Sequence, residues 1–447
     1  MPNLDKIQAG ILRGHGRNHS RCFLLHFDAP PLAVKIWISS HITPKLTNAA
    51  TQLRDAGAYR NGRRTYNNTA VINFFLTIQG FEHLELEAPD DAAYQRGHNS
   101  EATNLELNDT PADWEPPYAD DQAPIHAMFM VSDDLEIVLD HHERILRREF
   151  EENGIGRILT VEYGNMMRSG GHAIEHFGYA DGVNPDSYVD RNGGLTGNWR
   201  SVLVADPVKG HGSFMVFRKL EQNVDLFYKE LQRLGKNLGG SAMAGAQVVG
   251  RFANGMPLTI SDNAYGEEFD YGAQNGSPAD TGNRCPFHAH IRKANPRTAG
   301  SPKIVRRGIP YDYVGRGCNM DRKPNYGVGL LFMCYQHNIA NQFEAIQKQL
   351  NGPANEHDPL AGQPPSHNEP LDWNSNWGNK GGFQSIIEKV VTVRGGAYFY
   401  APSLEFFESL RIPGMAPGGE VPAAAEGNRY AKRKTGFGRF WLKGKRY

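Results

Sequence analysis

Two histidines separated by one residue, His288 and His290, are the first residues in this chain whose types and spacing suggest chemistry. They lie in the stretch RCPFHAHIRKANPR, among prolines and cationic side chains. On a strand, two residues at this spacing face the same side and could share a zinc ion. A second interpretation is one axial ligand to a heme iron with a bystander beside it. A third is that both rings bond to backbone in a tight loop and have no catalytic role.

Two other stretches contain polar groups suited to catalysis. In EHFGYADGVNPD, Asp181 lies between Gly178 and Gly182. Taken alone, an Asp-Gly pair usually marks a turn. In KIVRRGIPYD, Arg306 and Arg307 follow branched apolar residues, which by itself indicates the end of a strand. Neither stretch alone identifies a function.

The elements that must position these residues alternate between strands and helices in two sets. In the first set, strands are predicted at Cys22–Asp28, Thr69–Gln79, Ile125–Ser132 and Arg157–Gly164, with helices near Pro44–Ala56 and Asp133–Asn153. This order is β-α-β-β-α-β, the ferredoxin-like unit. In the second set, strands are predicted at Gly212–Leu220, Tyr326–Gln336 and Gly395–Ser403, with helices at Glu221–Gly235 and His337–Leu350. We therefore predict an α+β protein with two four-stranded antiparallel sheets, peripheral helices and long loops.

Two long connections interrupt this pattern. Ala88–Ala123 is crowded with Asp, Asn, Pro and Trp and is predicted to be a surface excursion. Lys236–Asn325 is rich in Gly, Asn, Asp and Pro and contains the histidine pair. A loop of that length in a compact domain is usually functional. The two sheets would pack face to face and leave a pocket between sheet and loops. A zinc hydrolase built on the histidine pair usually has it early in a β/α barrel, which this element order does not predict.

Composition excludes several classes of partner. The 447 residues contain 48 Lys+Arg and 49 Asp+Glu, which argues against binding nucleic acid or anionic membrane through overall charge. The basic end, AKRKTGFGRFWLKGKRY, is a local exception that we interpret as a solvated tail or a last strand. The few cysteines form no CxxC pair, which fits a reducing compartment. No secretion signal and no 18-residue apolar run is visible, so we expect a cytoplasmic protein without a membrane span.

Seven short pieces of the sequence, taken in order, resemble one family. FGYADG contains the form G-x-x-D-G, and CPFHAHIRKANPR, IVRRGIPY, GLLFMCYQ and YFYAPSL follow it. IQAGILRGHGRNH opens the chain and GSFMVFRKLEQ opens its second half. The sequence resembles the dye-decolorizing peroxidases, heme enzymes with a duplicated ferredoxin-like fold, or dimeric α+β barrel. The resemblance implies an N-terminal domain over residues 1–205 with the G-x-x-D-G motif and a C-terminal domain over residues 206–447 with the heme pocket.

The resemblance also implies one heme b per chain, held without covalent bonds. It matches His290 to the axial ligand of the iron, Asp181 and Arg306 to the catalytic pair on the opposite face, and Gly182 to the cofactor-binding motif. Leu330 and Phe332 match apolar residues over that face, and their spacing on a strand puts both on one side.

Three neighbours of the ligand carry further expectations. Arg292 and Arg297 are candidates to bind heme propionates, and Asp358 is a candidate acceptor for the ring proton of the ligand. His288 departs from the family, which usually has a small residue there.

The implied reaction is the reduction of hydrogen peroxide with oxidation of dyes, phenols or similar organic donors. Asp181, with an ordinary pKa of about 3.9, would accept a proton and return it, so activity should rise toward acidic pH. Arg306 would stabilise developing negative charge. If the segment is extended, Arg307 should point the opposite way, where we expect a salt bridge.

Bulky dyes would need a route for electrons from the surface. Tyr311 is a candidate because the family offers a surface tyrosine there, and Trp373 and Trp377 are candidates because their polar neighbours predict exposure. The alternative function is a heme-binding or deferrochelatase-like protein with little peroxidase turnover. The physiological donor and the formation of homo-oligomers stay open.

Overall fold

The computed structural model describes residues 1–60, 70–180, 188–190, 194–259, 269, 271–272, 279–312, 323–378 and 382–411. Its strands are β1 His19–Phe27, β2 Val71–Leu76, β3 Ala127–Asp133, β4 Gly156–Asn165, β5 Met167–Ser169, β6 His172–Ile174, β7 Val204–Ala205, β8 His211–Gln222, β9 Val305–Arg306, β10 Ile309–Tyr311, β11 Gly329–Gln336, β12 Leu371–Asn374, β13 Gly382–Ser385 and β14 Val391–Ala401.

The α-helices are α1 Pro31–Trp37, α2 Ala49–Arg60, α3 Ile78–His83, α4 Ala92–Arg96, α5 Glu101–Leu107, α6 Pro116–Ala119, α7 Glu136–Leu146, α8 Val224–Leu238, α9 Ser241–Val249, α10 His290–Ala294, α11 Ala345–Asn351 and α12 Leu404–Ser409. Short π-helical segments extend some of them, as at Arg147–Glu152 after α7 and Ala340–Glu344 before α11.

Two four-stranded antiparallel sheets form the centre of the molecule. The N-terminal sheet has the order β2-β3-β1-β4, and the C-terminal sheet has the order β14-β8-β11-β10, with β9 beside β11. Single pairings join their edges, Tyr400 with Leu76 and Tyr311 with Gly164. Because β8 also pairs with β11, the strands close into a barrel. The predicted duplicated ferredoxin-like fold is confirmed.

The barrel interior is a core that both sheets share. Cys22, Leu24 and Met130 from the N-terminal sheet pack in one buried cluster with Phe217 and Met333 from the C-terminal sheet. Residues 1–205 and 206–447 therefore remain a predicted division of the sequence, since each half completes the core of the other.

The first residues of the chain are packed inside this assembly. Ile7 and Ile11 are buried, and the Gln8 side chain donates to Phe74 O at 2.8 Å and to Pro402 O at 3.0 Å. The Leu404 N–H donates to Lys6 O at 2.8 Å. The N-terminal segment therefore contacts β2 and the residues that follow β14.

The predicted surface excursion at residues 88–123, called the insertion below, lies at the surface but is anchored in the core by buried aromatic side chains. Tyr94, Trp114 and Tyr118 are each at most 7 % exposed. Two glycines of β14 leave the space that Tyr118 and His98 occupy. A Cβ on Gly395 would lie 2.2 Å from Tyr118 Cγ, and one on Gly396 would lie 2.8 Å from the His98 ring. The prediction of a surface segment holds for its exposed polar residues, but it did not include the buried aromatic residues that anchor the segment.

The long connection Lys236–Asn325 is also more ordered than predicted. It contains α9, α10, β9 and β10, and α9 packs against α8. Ala and Gly residues make α9 hard to recognise as an amphipathic helix. Of the helices in the described ranges, none is long and apolar enough to cross a membrane. The expected cytoplasmic location and self-association stay predictions.

Candidate active site

His290 lies at the first position of the short helix α10, where its ring faces an enclosed space. Pro286 accepts a hydrogen bond from the Ala289 N–H at 3.1 Å, which forms the turn that starts the helix. The chain here is therefore a turn and a helix, and not the strand on which two histidines at this spacing would face the same side. Protein surrounds His290, yet 32 % of its side-chain surface is accessible, which indicates a cavity beside the ring.

The carboxylate of Asp358 holds the His290 ring. His290 Nδ1 lies 2.6 Å from Asp358 Oδ2, and the other carboxylate oxygen accepts from the N–H groups of Leu360 and Ala361 at 2.7 and 3.1 Å. Burial lowers the pKa of His290, but its contacts with Asp358 raise the pKa above the ordinary value. Burial raises the pKa of Asp358, but His290 and the two N–H groups bring it below the ordinary value. This pair leaves His290 Nε2 to face the cavity.

His288 faces away from that cavity. Its ring meets the edge of Trp373 at 4.5 Å between centroids, and its Nε2 has no hydrogen-bond partner among the described residues. Burial lowers the pKa of His288 to about 3, so the ring is neutral. The two histidines thus diverge and do not share a metal ion. In the part of the chain that the structure describes, no cluster of three or more His, Cys, Asp or Glu side chains could hold one.

The opposite wall of the cavity is the outer face of β11 with β9 beside it. Leu330 and Phe332 are half-buried on that face, whereas the alternate residues of β11 point into the barrel core. Arg306 pairs with Cys334, which places its side chain on the same face as Phe332. The charge of Arg306 lowers the pKa of His290, so the two groups lie near each other. The predicted shared side of Leu330 and Phe332 is confirmed.

Arg307 points into the molecule, as expected from its position next to Arg306. Its Nε donates to Gly10 O at 2.7 Å, and its Nη2 donates to Ile11 O at 3.1 Å. Burial lowers the pKa of Arg307 to about 10. The orientation was predicted correctly, but the contacts are backbone carbonyls of the N-terminal segment and not a salt bridge.

The sequence prediction missed two polar residues beside this cavity. Glu175 accepts from the N–H groups of Phe177 and Tyr179 at 2.8 and 3.1 Å and from Gln222 Nε2 at 2.5 Å. The charge of Glu175 raises the pKa of His290, and Gln222 Oε1 is buried with no partner within the described ranges. The position of Glu175, six residues before Asp181 in the same motif, was the available signal.

The geometry does not support Arg292 as a propionate ligand. Its Nη1 and Nη2 donate to the Asp280 carboxylate and backbone at 2.9 and 2.8 Å, and its guanidinium lies between the rings of Tyr271 and Phe287. Arg292 is 8 % exposed and stabilises the loop before α10. Arg297, the other candidate, donates to Phe269 O at 2.6 Å.

Two of the three candidate relay residues are not at the surface. Tyr311 is 6 % exposed, because β10 lies between β4 and β11 and its ring packs on Gly329. Trp373 is 1 % exposed, because the β12–β13 hairpin turns it inward and its Nε1 donates to Ser385 O at 2.9 Å. The expected exposure was wrong for both. Trp377 is half-buried, with the Arg284 guanidinium 5.5 Å from its ring.

Asp181 and Gly182 lie outside the described residues, so their expected roles stay predictions. The residues that are described fit a heme on one test. An imidazole whose Nδ1 is fixed by a buried carboxylate presents Nε2 to a cavity, and half-buried Leu330 and Phe332 with Arg306 form the facing wall. This is the donor set and apolar lining that an axially ligated heme requires.

Comparison with known proteins adds an independent finding. Residues 174–364 match the family model of the Dyp-type peroxidase C-terminal region. The multifunctional dye peroxidase DyP2 of an Amycolatopsis strain is 31 % identical, and the alignment covers 91 % of this chain and 96 % of that protein. A crystal structure of an Anabaena DyP-type peroxidase superposes with a TM-score of 0.78 at 31 % identity, covering 91 % of this chain and 94 % of its own. A deferrochelatase of Escherichia coli O157:H7 is 31 % identical over 150 residues, 30 % of this chain and 34 % of that protein.

Proposed function

The chain belongs to the dye-decolorizing peroxidase family of heme enzymes, and we propose that it binds one heme b through His290 and reduces hydrogen peroxide with Asp181 and Arg306. Its proposed electron donors are dyes, phenols or similar organic molecules, of which the names of its relatives mention dyes.

One observation supports the proposal most directly. His290 is held by Asp358 through Nδ1, and its Nε2 faces a cavity whose opposite wall carries Arg306. A ligand histidine in a metal site normally has such a carboxylate or carbonyl partner, which fixes the ring and increases its basicity. A purely structural role would not require the second ring nitrogen of His290 to face a cavity.

Each protein residue has a distinct part in this proposal. When bound, the heme supplies an iron centre that peroxide oxidises. Asp358 keeps the Nδ1 proton of His290 and so fixes its orientation. Asp181 takes a proton from the inner peroxide oxygen and returns it to the outer one, which leaves as water. Arg306 stabilises the ionised aspartate and the charge on the departing oxygen. Gly182 would let the backbone of that motif approach the cofactor.

Replacement of the two histidines tests the ligand. His290→Ala should abolish or severely weaken heme retention, because Nε2 is the only protein bond to the iron in this proposal. His288→Ala is the matched control, since that ring packs on Trp373 and faces away from the cavity. The Soret absorption after reconstitution is the measurement. Loss of the Soret band in the His288 variant alone would assign the ligand to the wrong histidine.

Trp377 is the strongest of the three candidates for oxidation of bulky donors at the surface. It is half-buried, whereas Tyr311 and Trp373 cannot contact a dye. Trp377→Phe should lower turnover of a bulky anthraquinone dye several-fold and spare a small phenol. Equal losses on both donors would indicate damage at the heme site instead.

Heme handling with little peroxide turnover is the second candidate. The partial similarity to a deferrochelatase favours it, although that match covers 30 % of the chain. Rapid spectral change after one equivalent of peroxide would support the peroxidase, and its absence in heme-loaded protein would support heme handling.

A further inference from the structure

A continuous series of aromatic rings connects the wall of the candidate active site with the insertion. The rings are, in order, Phe332, Phe343, Tyr398, His98 and Trp114. Consecutive ring centroids lie 6.2, 6.3, 5.0 and 5.1 Å apart. Aromatic rings at 4.5–7 Å are in direct contact. Each step from Phe332 to Trp114 in the insertion is therefore a direct contact between two rings. Phe332 lies on the same face of the sheet as Arg306.

Tyr398 is the oxidisable residue nearest the start of this series, and it has a base for its proton. Its hydroxyl donates to Glu344 Oε1 at 2.9 Å. Arg96 Nη2 donates to both oxygens of Glu344 at 2.7 and 2.9 Å, which fixes the carboxylate. Burial and Glu344 raise the pKa of Tyr398 well above its ordinary value, so the resting phenol keeps its proton. A phenol that loses an electron becomes a strong acid, and here the proton has an acceptor.

Other buried tyrosines lack this combination. Tyr94 donates to the carbonyl of Leu76 at 2.8 Å, and a carbonyl cannot take the proton away. Tyr311 has no hydrogen-bond partner for its hydroxyl among the described residues. Tyr118 donates to Glu162, but its ring stacks on Phe217, which lies in the barrel core and not on the cavity side.

The far end of the series consists of rings held by packing. Both ring nitrogens of His98 and Nε1 of Trp114 are buried and have no hydrogen-bond partner in the part of the chain that the structure describes, so packing holds both side chains in place. Burial and the charge of Arg218 lower the pKa of His98, so the ring is neutral. Arg218 itself forms a buried ion pair with Asp109, which offsets its positive charge beside the series.

We propose that these rings form a redox relay that carries an oxidising equivalent from the active-site wall through Tyr398 on β14 to Trp114 in the insertion. The relay rests on the proposed peroxidase function, which supplies the oxidant. Tyr398 loses one electron to the peroxide-oxidised cofactor, and its phenolic proton moves to Glu344. Trp114 then passes one electron to Tyr398 through the His98 ring, and Glu344 returns the proton.

Trp114 is then the one-electron-oxidised residue, and it stays oxidised until an organic donor reduces it. Because Trp114 is 7 % exposed, it does not meet a bulky dye directly. The relay therefore stores an oxidising equivalent away from the site and is separate from the surface position of Trp377.

Radical spectroscopy on the heme-loaded enzyme tests the relay. The enzyme is mixed with one equivalent of peroxide without donor, frozen within milliseconds, and examined by electron paramagnetic resonance with ring-deuterated tyrosine or tryptophan. We expect a tyrosyl signal that is lost in Tyr398→Phe and retained in the matched control Tyr94→Phe. Trp114→Phe should remove the tryptophanyl signal and prolong the tyrosyl one.

Proton transfer has its own test. Glu344→Gln should remove the tyrosyl signal although the phenol is still present. Because this change also breaks a buried pair with Arg96, wild-type enzyme in heavy water provides a second measurement, in which the tyrosyl signal should form more slowly. An isotope-independent rate would overturn the role of Glu344.

The outcomes separate the relay from the proposed function. A normal Soret band and peroxide reaction with an unchanged tyrosyl signal in Tyr398→Phe would reject the relay alone. No Soret band, or no spectral response to peroxide in wild-type enzyme, would reject the peroxidase mechanism and the relay together.

Discussion

Arg306 and Arg307 are adjacent residues with opposite environments, and their replacement should separate catalysis from stability. Arg306 lies on the cavity face, whereas Arg307 bonds Gly10 and Ile11 inside the molecule. Arg306→Leu should slow the peroxide reaction by about 100-fold or more, since preorganised charge stabilisation is typically worth that much. Arg307→Leu should leave the rate nearly unchanged in folded protein and lower the melting temperature. Stopped-flow absorbance and thermal unfolding are the measurements.

Asp181 completes that comparison at the residue scale. Asp181→Asn should also slow the peroxide reaction. The rate loss in Arg306→Leu should be at least as large, because water can partly replace a base but not a fixed cation. Unchanged rates in both variants would contradict the proposed mechanism. A large rate loss in Arg307→Leu with an intact melting temperature would mean that the two arginines have the wrong assignments.

The docking of the insertion on β14 is a property of elements, and Gly395 controls it. Gly395 has φ +141°, and a Cβ there would lie 2.2 Å from Tyr118 Cγ. Gly395→Ala should lower the free energy of unfolding by about 1–3 kcal/mol or more, the range for overpacked sites. Gly57 in α2 has no atom within 4 Å of an added Cβ, so Gly57→Ala should stabilise by up to about 1 kcal/mol. Urea unfolding of both variants measures the two effects, and equal signs would contradict the packing argument.

The secondary-structure elements were more predictable from the sequence than the exposure of individual side chains. The strands and the helices α7 and α8 follow from hydrophobic periodicity, and two repeats of one order were enough to predict the paired sheets. Short motifs located His290, Asp358 and Arg306, which the structure brings to one cavity. The burial of Trp373 and Tyr311 was not predictable, because it depends on which distant strand covers each ring. The turn before His290 depends likewise on a local backbone bond that the HxH spacing does not specify.

For the molecule as a whole, buried neutral histidines should make acid conditions destabilising. Burial and neighbouring charges lower the pKa of His15 and His126 to about 3 and that of His367 to about 4. In the unfolded chain these groups take up protons near pH 6.5, whereas the folded chain does not until the lower values. The stability that these three groups contribute is therefore fully present above pH 6.5 and is lost progressively as pH falls through about 4 to about 3.

The urea midpoint of the heme-loaded enzyme should accordingly fall between pH 6.5 and pH 4. His126→Gln should flatten that dependence, because a neutral amide can still accept the Phe27 N–H bond that His126 Nδ1 accepts at 2.8 Å. A slope that is the same in variant and wild type would exclude His126 as a contributor. The rise in activity toward acidic pH that we expect from Asp181 would then be opposed by acid unfolding of the whole enzyme.

The buried N-terminal segment has a consequence for biosynthesis. Lys6, Gln8 and Gly10 find their partners at Leu404, Pro402 and Arg307, roughly 300 to 400 residues later in the chain. These three contacts cannot form until their partners have been synthesised, although Gln8 also donates to Phe74 O, which is made much earlier. Until β14 and the residues after it leave the exit tunnel, Ile7 and Ile11 remain available to chaperones. The contacts of Lys6 and Gln8 with the residues after β14 therefore form late in folding.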